Sequence, residues 1–243
     1  MARLPRIVLP GIPHHVTQRG NRRETIFFED GDYALYLDLL ADAAGRAGVG
    51  IWSYCLMPNH VHIIAVPSDA DGLRRVFRYV HRHYTGYINA RLRVTGHLWQ
   101  GRFSSVAMDE THLTAALRYV ALNPVRAGLV RRAEQWLWSS TRALLASRDD
   151  HIVTVAPALE RTGDFAVFLS GAFDEALTYA ALRKAESVGR PVGSKEWLTD
   201  MELRTGLMLA PQKRGPKPGR SSSIRPVLSP NRRPGCRNTG RSS

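Results

Sequence analysis

The apolar positions of this chain follow two spacings. His14 to Arg19 alternates loosely, as a strand does, and runs into a basic turn, Arg19-Gly20-Asn21-Arg22-Arg23. From Gly31 to Gly45 the apolar residues Tyr33, Leu35, Tyr36, Leu39, Leu40 and Ala43 recur at helical spacing, and Gly45 and Gly48 are placed to end that helix. Two apolar runs follow, residues 49–57 and 61–66, separated by Pro58-Asn59, which predicts a hairpin. Residues 73–93 read as a helix rich in Arg, His and Tyr, residues 96–101 as a loop holding Trp99, and residues 103–108 as a strand. A helix over 111–123 follows, with Asp109, Glu110 and Thr111 as capping residues and Pro124 as its stop. The order strand, helix, strand, strand, helix, strand, helix predicts an α+β fold, a ferredoxin-like (RRM-like) antiparallel sheet with helices on one face.

Beyond this domain, residues 1–145, the pattern predicts a mainly helical extension over 146–209, with a helical stretch from about Gly163 to Glu186. From Ala210 onward the composition changes. Residues 210–243 hold nine basic residues, no acid and many Pro, Gly and Ser, a composition that predicts a disordered basic tail.

Composition narrows the function. The net charge of +13 points to a polyanionic partner, most simply nucleic acid. With two cysteines, Cys55 and Cys236, neither a disulfide framework nor a cysteine zinc site is expected. No apolar run is long enough to span a membrane and the N-terminal segment lacks the core of a signal peptide, so the expected location is the cytoplasm. There is no Walker-type phosphate loop and no GxGxxG, so no nucleotide cofactor is expected.

The candidate chemistry sits in Met57-Pro58-Asn59-His60-Val61-His62. Residues two apart on a strand share a face, so His60 and His62 aim together and can hold one metal ion. The same spacing also fits two unrelated histidines on a half-polar strand. Tyr119 and Asn123 lie four apart on a helix, offset by about 40°. Asn123 offers a third ligand oxygen and Tyr119 a phenol one turn away, although Tyr119 also fits an amphipathic core position among Leu113, Ala116 and Leu117.

The segments MPNHVHII, WQGRF and RYVALNPVRAGLV, with the opening GIPHHVTQRGNRRETIFF, resemble the REP-associated tyrosine transposases of the single-tyrosine HUH superfamily. The resemblance covers roughly residues 5–145, and GRPVGSKEWLTDMELRTG resembles a C-terminal segment of longer members. It implies that His60 and His62 hold a divalent ion, Mg²⁺ or Mn²⁺, with Asn123 completing the site. It further implies that Tyr119 attacks a phosphodiester of single-stranded or hairpin DNA to leave a 5′-phosphotyrosine. A monomer and a homodimer both fit, since relatives differ on whether the tyrosine serves its own subunit or a neighbour.

Candidate DNA contacts are Arg19, Arg22 and Arg23 at the basic turn, and Trp99 and Arg102 around a flexible glycine, with further arginines (74, 75, 78, 82 and 91) along the second helix. His14, His15, His81, His83 and His97 read as structural or phosphate-facing. A catalytically idle nucleic-acid-binding module on the same sheet would explain the charge equally well. It would not explain His60, His62, Tyr119 and Asn123 occurring together. A replication or mobilisation nuclease of the same superfamily is a further alternative, but no partner domain is legible.

Overall fold

The computed structural model describes residues 6–171, 179–180, 184–185 and 189–209. The expected tail, residues 210–243, lies outside them, as does part of the 163–186 stretch. Four strands, β1 (His14–Arg19), β2 (Val49–Met57), β3 (His60–Pro67) and β4 (Ser104–Ala107), form one antiparallel sheet in the order β2-β3-β1-β4. Helix α1 (Asp30–Ala47) joins β1 to β2, and α2 (Gly72–Leu92) joins β3 to β4. This is the expected ferredoxin-like α+β arrangement.

Local sequence sets the element ends. Glu29 and Asp32 form a reciprocal capping box at the start of α1. Gly48, left-handed at φ 63°, closes the helix, while Gly45 lies inside it. The two-residue turn Pro58-Asn59 joins β2 to β3. Its carbonyls are taken by the amides of Ile26 (2.8 Å) and Gly20 (2.9 Å), so the residues after β1 anchor the hairpin tip.

The sheet has two distinct faces. Val16, Val61 and Ile63 belong to one, and α1 and α2 share that side: Gly72 at the start of α2 approaches Val49 and Pro67 so closely that a side chain there would crowd them. Helix α3 (Glu110–Arg126) crosses the other face. It runs past Pro124, which was expected to end it: only two more residues follow the proline in the helix, and Ala127 N–H still reaches the Asn123 carbonyl at 3.0 Å. Asp109 caps α3 by accepting from His112 N–H at 2.9 Å.

The extension does not separate from the sheet. Residues 136–140 run along the outer edge of β2, where Leu56 N–H donates to the Trp138 carbonyl (2.8 Å) and Ser140 N–H to the Tyr54 carbonyl (3.0 Å). Short helices α4 (Thr141–Leu145), α5 (Ala156–Thr162) and α6 (Phe165–Ser170) follow, with Gly163 at φ 64° separating α5 from α6, and α6 lies in the stretch from about Gly163 that was expected to be helical. Arg118 of α3, nearly buried, donates to the carbonyls of Phe168 and Gly171 and so ties α6 to α3. Helix α7 (Lys195–Thr205) packs Met201 with Leu9, Ala107 and Leu209 in a small second apolar cluster. The described residues up to Leu209 fall within one compact unit.

Candidate active site

Antiparallel pairing places His62 opposite Thr17 and His60 opposite Arg19, and Ser104 of β4 also stands opposite Thr17. Directly opposed residues share a face, so His15, Thr17 and Arg19 join His60 and His62 on the side that α3 covers. The Gln100 amide donates to the Arg19 carbonyl at 2.8 Å, which brings the loop after α2 to the end of β1. The result is a cleft of about 150 Å³ lined by Thr17, Gln18, Arg19, His60, His62, Gln100, Arg102 and Ser104.

Each histidine of the pair has one nitrogen committed. His60 Nδ1 lies 2.6 Å from Asn59 Oδ1. An amide oxygen only accepts, so the proton sits on Nδ1 and leaves a bare lone pair on Nε2. His62 Nδ1 lies 2.9 Å from His15 Nε2, and His62 Nε2 is a buried nitrogen with no hydrogen-bond partner. The two ring centroids are 4.8 Å apart. Burial, with a smaller contribution from the Arg19 charge, lowers the His60 pKa to about 4. Burial first, then the neighbouring His15, His60, Arg19 and Arg126, holds His62 well below the ordinary value. Both imidazoles are thus neutral at pH 7, as metal ligands must be.

This donor set fits a divalent ion: two neutral imidazoles on one strand face, each fixed from behind by a partner on Nδ1. Among the described residues no group of three or more His, Cys, Asp or Glu could hold a metal, and a neutral amide oxygen is one further donor the chain offers. Asn123, buried one turn beyond Tyr119, carries such an oxygen, and its Nδ2 has no hydrogen-bond partner.

Tyr119 packs edge-on against His62 at 5.3 Å between ring centroids and against His15 at 6.0 Å. Its ring is buried. Tyr179 of the extension covers it at 4.8 Å, and the Arg126 guanidinium lies 4.5 Å from its centroid and 4.7 Å from that of Tyr179. Arg126 stands seven positions after Tyr119, two turns along the same helix face.

Four of the five expected DNA contacts surround this cleft or its rim. Arg19 and Arg102 line it. Arg22 and Arg23 are exposed on the adjoining turn in left-handed conformations, φ 54° and 65°, and Asn59 Nδ2 donates to the Arg23 carbonyl at 3.1 Å. Gly20 is required there, because a Cβ would collide with the Glu24 carbonyl and Ile26. Trp99, the fifth, lies away from the cleft lining. It is 9% exposed, its ring centroid lies 4.4 Å from that of His81, and Nε1 donates to the His81 carbonyl at 3.3 Å. Tyr36 and Tyr84 also lie near its ring, at 6.2 and 5.9 Å between centroids.

Sequence reasoning missed His15, Asn59, Gln18, Gln100 and Arg126 as members of the site. Asn59 was accessible, since it adjoins His60 in the turn. His15 was not, because its approach to His62 depends on strand register.

Residues 10–123 match the family model "Transposase IS200 like". The matched segment holds β1 to β4, the histidine pair, Tyr119 and Asn123. A Haemophilus influenzae protein assigned to the REP-associated tyrosine transposases is 26% identical over 98 residues, covering 35% of this chain and 55% of that protein. The chain thus spans about half the length of that curated relative. A solved REP-associated tyrosine transposase bound to a REP hairpin superposes with a TM-score of 0.52 at 21% identity, over 63% of this chain and 92% of that one. At that identity the likeness speaks for the fold.

Proposed function

We propose that this chain is a REP-associated tyrosine transposase that nicks and rejoins single-stranded or hairpin DNA through a covalent bond to Tyr119. The observation that carries this reading is the pair of neutral imidazoles with uncommitted Nε2 atoms on the sheet face where the Tyr119 ring packs. The structural neighbour bound to a REP hairpin supports hairpin DNA as the substrate.

In this reading Arg19 and Arg102 hold the oxygens of the scissile phosphate in the cleft by charge-assisted hydrogen bonds, with Gln18, Gln100, Thr17 and Ser104 supplying neutral donors. A divalent ion, Mg²⁺ or Mn²⁺, held by His60, His62 and Asn123 would polarise the phosphate. Asn59 and His15 keep the two imidazoles oriented from behind. Tyr119 Oη attacks the phosphorus in line, and the bond to the 3′ oxygen breaks. The phenol gives up its proton, the departing 3′ oxygen takes one, and the 5′ phosphate stays on Tyr119. The Arg126 guanidinium offsets negative charge that develops on the phenol oxygen. Attack by another 3′-hydroxyl reverses the step and joins strands. The phosphodiester is conserved in the intermediate, so no nucleotide is consumed.

A labelled hairpin with a single-stranded flank, incubated with the protein and Mn²⁺, is expected to give a protein–DNA adduct that survives denaturing electrophoresis. The adduct is expected to vanish with EDTA. Binding without adduct across hairpin sequences and metals would replace this reading with the idle binding module.

A further inference from the structure

Helix α2 carries a basic surface remote from the cleft. Its buried stripe, Leu73, Val76, Phe77, Val80, Tyr84 and Ile88, faces the core at helical spacing. The opposite stripe presents Arg74, Arg75, Arg78, Tyr79, Arg82 and His83 around a groove of about 300 Å³. These arginines are not equivalent. Arg74 is paired with Asp71, and Arg75 with Asp69 at 2.6 Å, so the first turn is neutralised from within. Arg91, at the far end, is committed to Glu29 and Asp32. Arg78 and Arg82 are exposed one turn apart, with no acidic partner among the described residues.

The aromatic group in this stripe is already covered. Tyr79 has the Arg46 guanidinium 4.4 Å from its centroid and the His83 ring at 4.2 Å. A single-stranded site relies on open aromatic faces for base stacking. The tyrosine that lines this groove is not such an open platform. Two rigidly spaced cations about 6 Å apart along a helix suit the phosphates of a duplex.

We infer that the outer face of α2, through Arg78 and Arg82, is a docking surface for the phosphate backbone of duplex DNA, distinct from the histidine cleft. In the DNA-processing reading above, on which this rests, the duplex is the stem of the hairpin. The stem engages the α1/α2 side of the sheet while its single-stranded flank enters the cleft on the α3 side.

The test uses the full chain and a double variant, Arg78→Gln with Arg82→Gln, whose side chains are exposed and whose fold is checked by thermal melt. Fluorescence anisotropy is read on a hairpin with a flank and on the same flank without a stem, over a salt series. The variant is expected to weaken hairpin binding about tenfold or more near physiological salt and to leave flank binding unchanged. The slope of log affinity against log salt for the hairpin is expected to flatten by about 2, at roughly 0.9 for each phosphate that is no longer neutralised. The rate of adduct formation at saturating DNA should stay the same. Equal weakening of hairpin and flank, or no weakening of either, would overturn the inference. The binding arms do not depend on cleavage. If the native protein forms no adduct while hairpin affinity still falls selectively, the transposase reading fails and the docking surface stands.

Discussion

His14 and His15 are neighbours in sequence and sit on opposite faces of one sheet, where they meet opposite treatment. On the α1/α2 side, His14 is fully satisfied: Nδ1 donates to the Ile12 carbonyl at 2.7 Å and Nε2 accepts from Leu9 N–H at 3.1 Å. On the α3 side, the chain from His15 to His62 ends in a bare, buried Nε2. A buried polar atom without a partner costs about 1–3 kcal/mol, so folds rarely keep one unless something else uses it. His14 thus serves the fold, whereas His62 keeps a nitrogen that a ligand could use.

The largest effect expected from breaking this contrast is at Tyr119. Tyr119→Phe removes only the phenol oxygen, so it should abolish the covalent adduct while leaving hairpin affinity within about twofold, because the phosphate contacts that dominate DNA affinity stay in place. Persistent adduct in that variant, read on a denaturing gel, would move the nucleophile to another tyrosine.

Next come His60 and His62. His60→Ala or His62→Ala should cost several kcal/mol of barrier, at about tenfold in rate per 1.36 kcal/mol, and should abolish tight Mn²⁺ binding measured by electron paramagnetic resonance. Unchanged Mn²⁺ affinity in both variants would remove the histidine pair from the metal site.

Trp99→Ala tests the back face. Loss of a buried indole should destabilise the protein by about 3–5 kcal/mol in denaturant titration, with little direct effect on DNA affinity in the fraction that stays folded. A large affinity loss at unchanged stability would restore Trp99 as a DNA contact.

His15→Phe keeps the ring volume and removes the hydrogen bond behind His62. A loss of about 10–100-fold in Mn²⁺ affinity is expected if His62 is a ligand, the scale for partners that orient metal-bound histidines, with a stability cost of about 1–3 kcal/mol for the His62 Nδ1 left without its partner.

The smallest effect is the pH dependence of stability. Burial lowers His14 to about 4 and His81 to about 3, so both are neutral in the fold and take up protons near 6.5 when unfolded. Their contribution is complete above pH 6.5 and declines as pH falls towards 4 and 3. The slope of unfolding free energy against pH in that window should shrink in His14→Gln. An unchanged slope would take His14 out of the proton balance.

Elements with strong local signals were determined by sequence alone. Hydrophobic periodicity defined α1 and α2, Pro58-Asn59 defined the hairpin, and the two-residue spacing put His60 and His62 on one face. Local pattern could not settle how far α3 runs, because a proline in a last turn is tolerated, nor where the extension packs, because α5 and α6 are too short to show a period. Tertiary structure alone decided which side chains meet: register brought His15 to His62, α3 laid Tyr119 against them, and the loop after α2 turned Trp99 inward and Arg102 outward. Such meetings join residues many positions apart, and no local spacing encodes them. The sequence supplied the chemical groups, and the packing chose which of their atoms to leave without a partner.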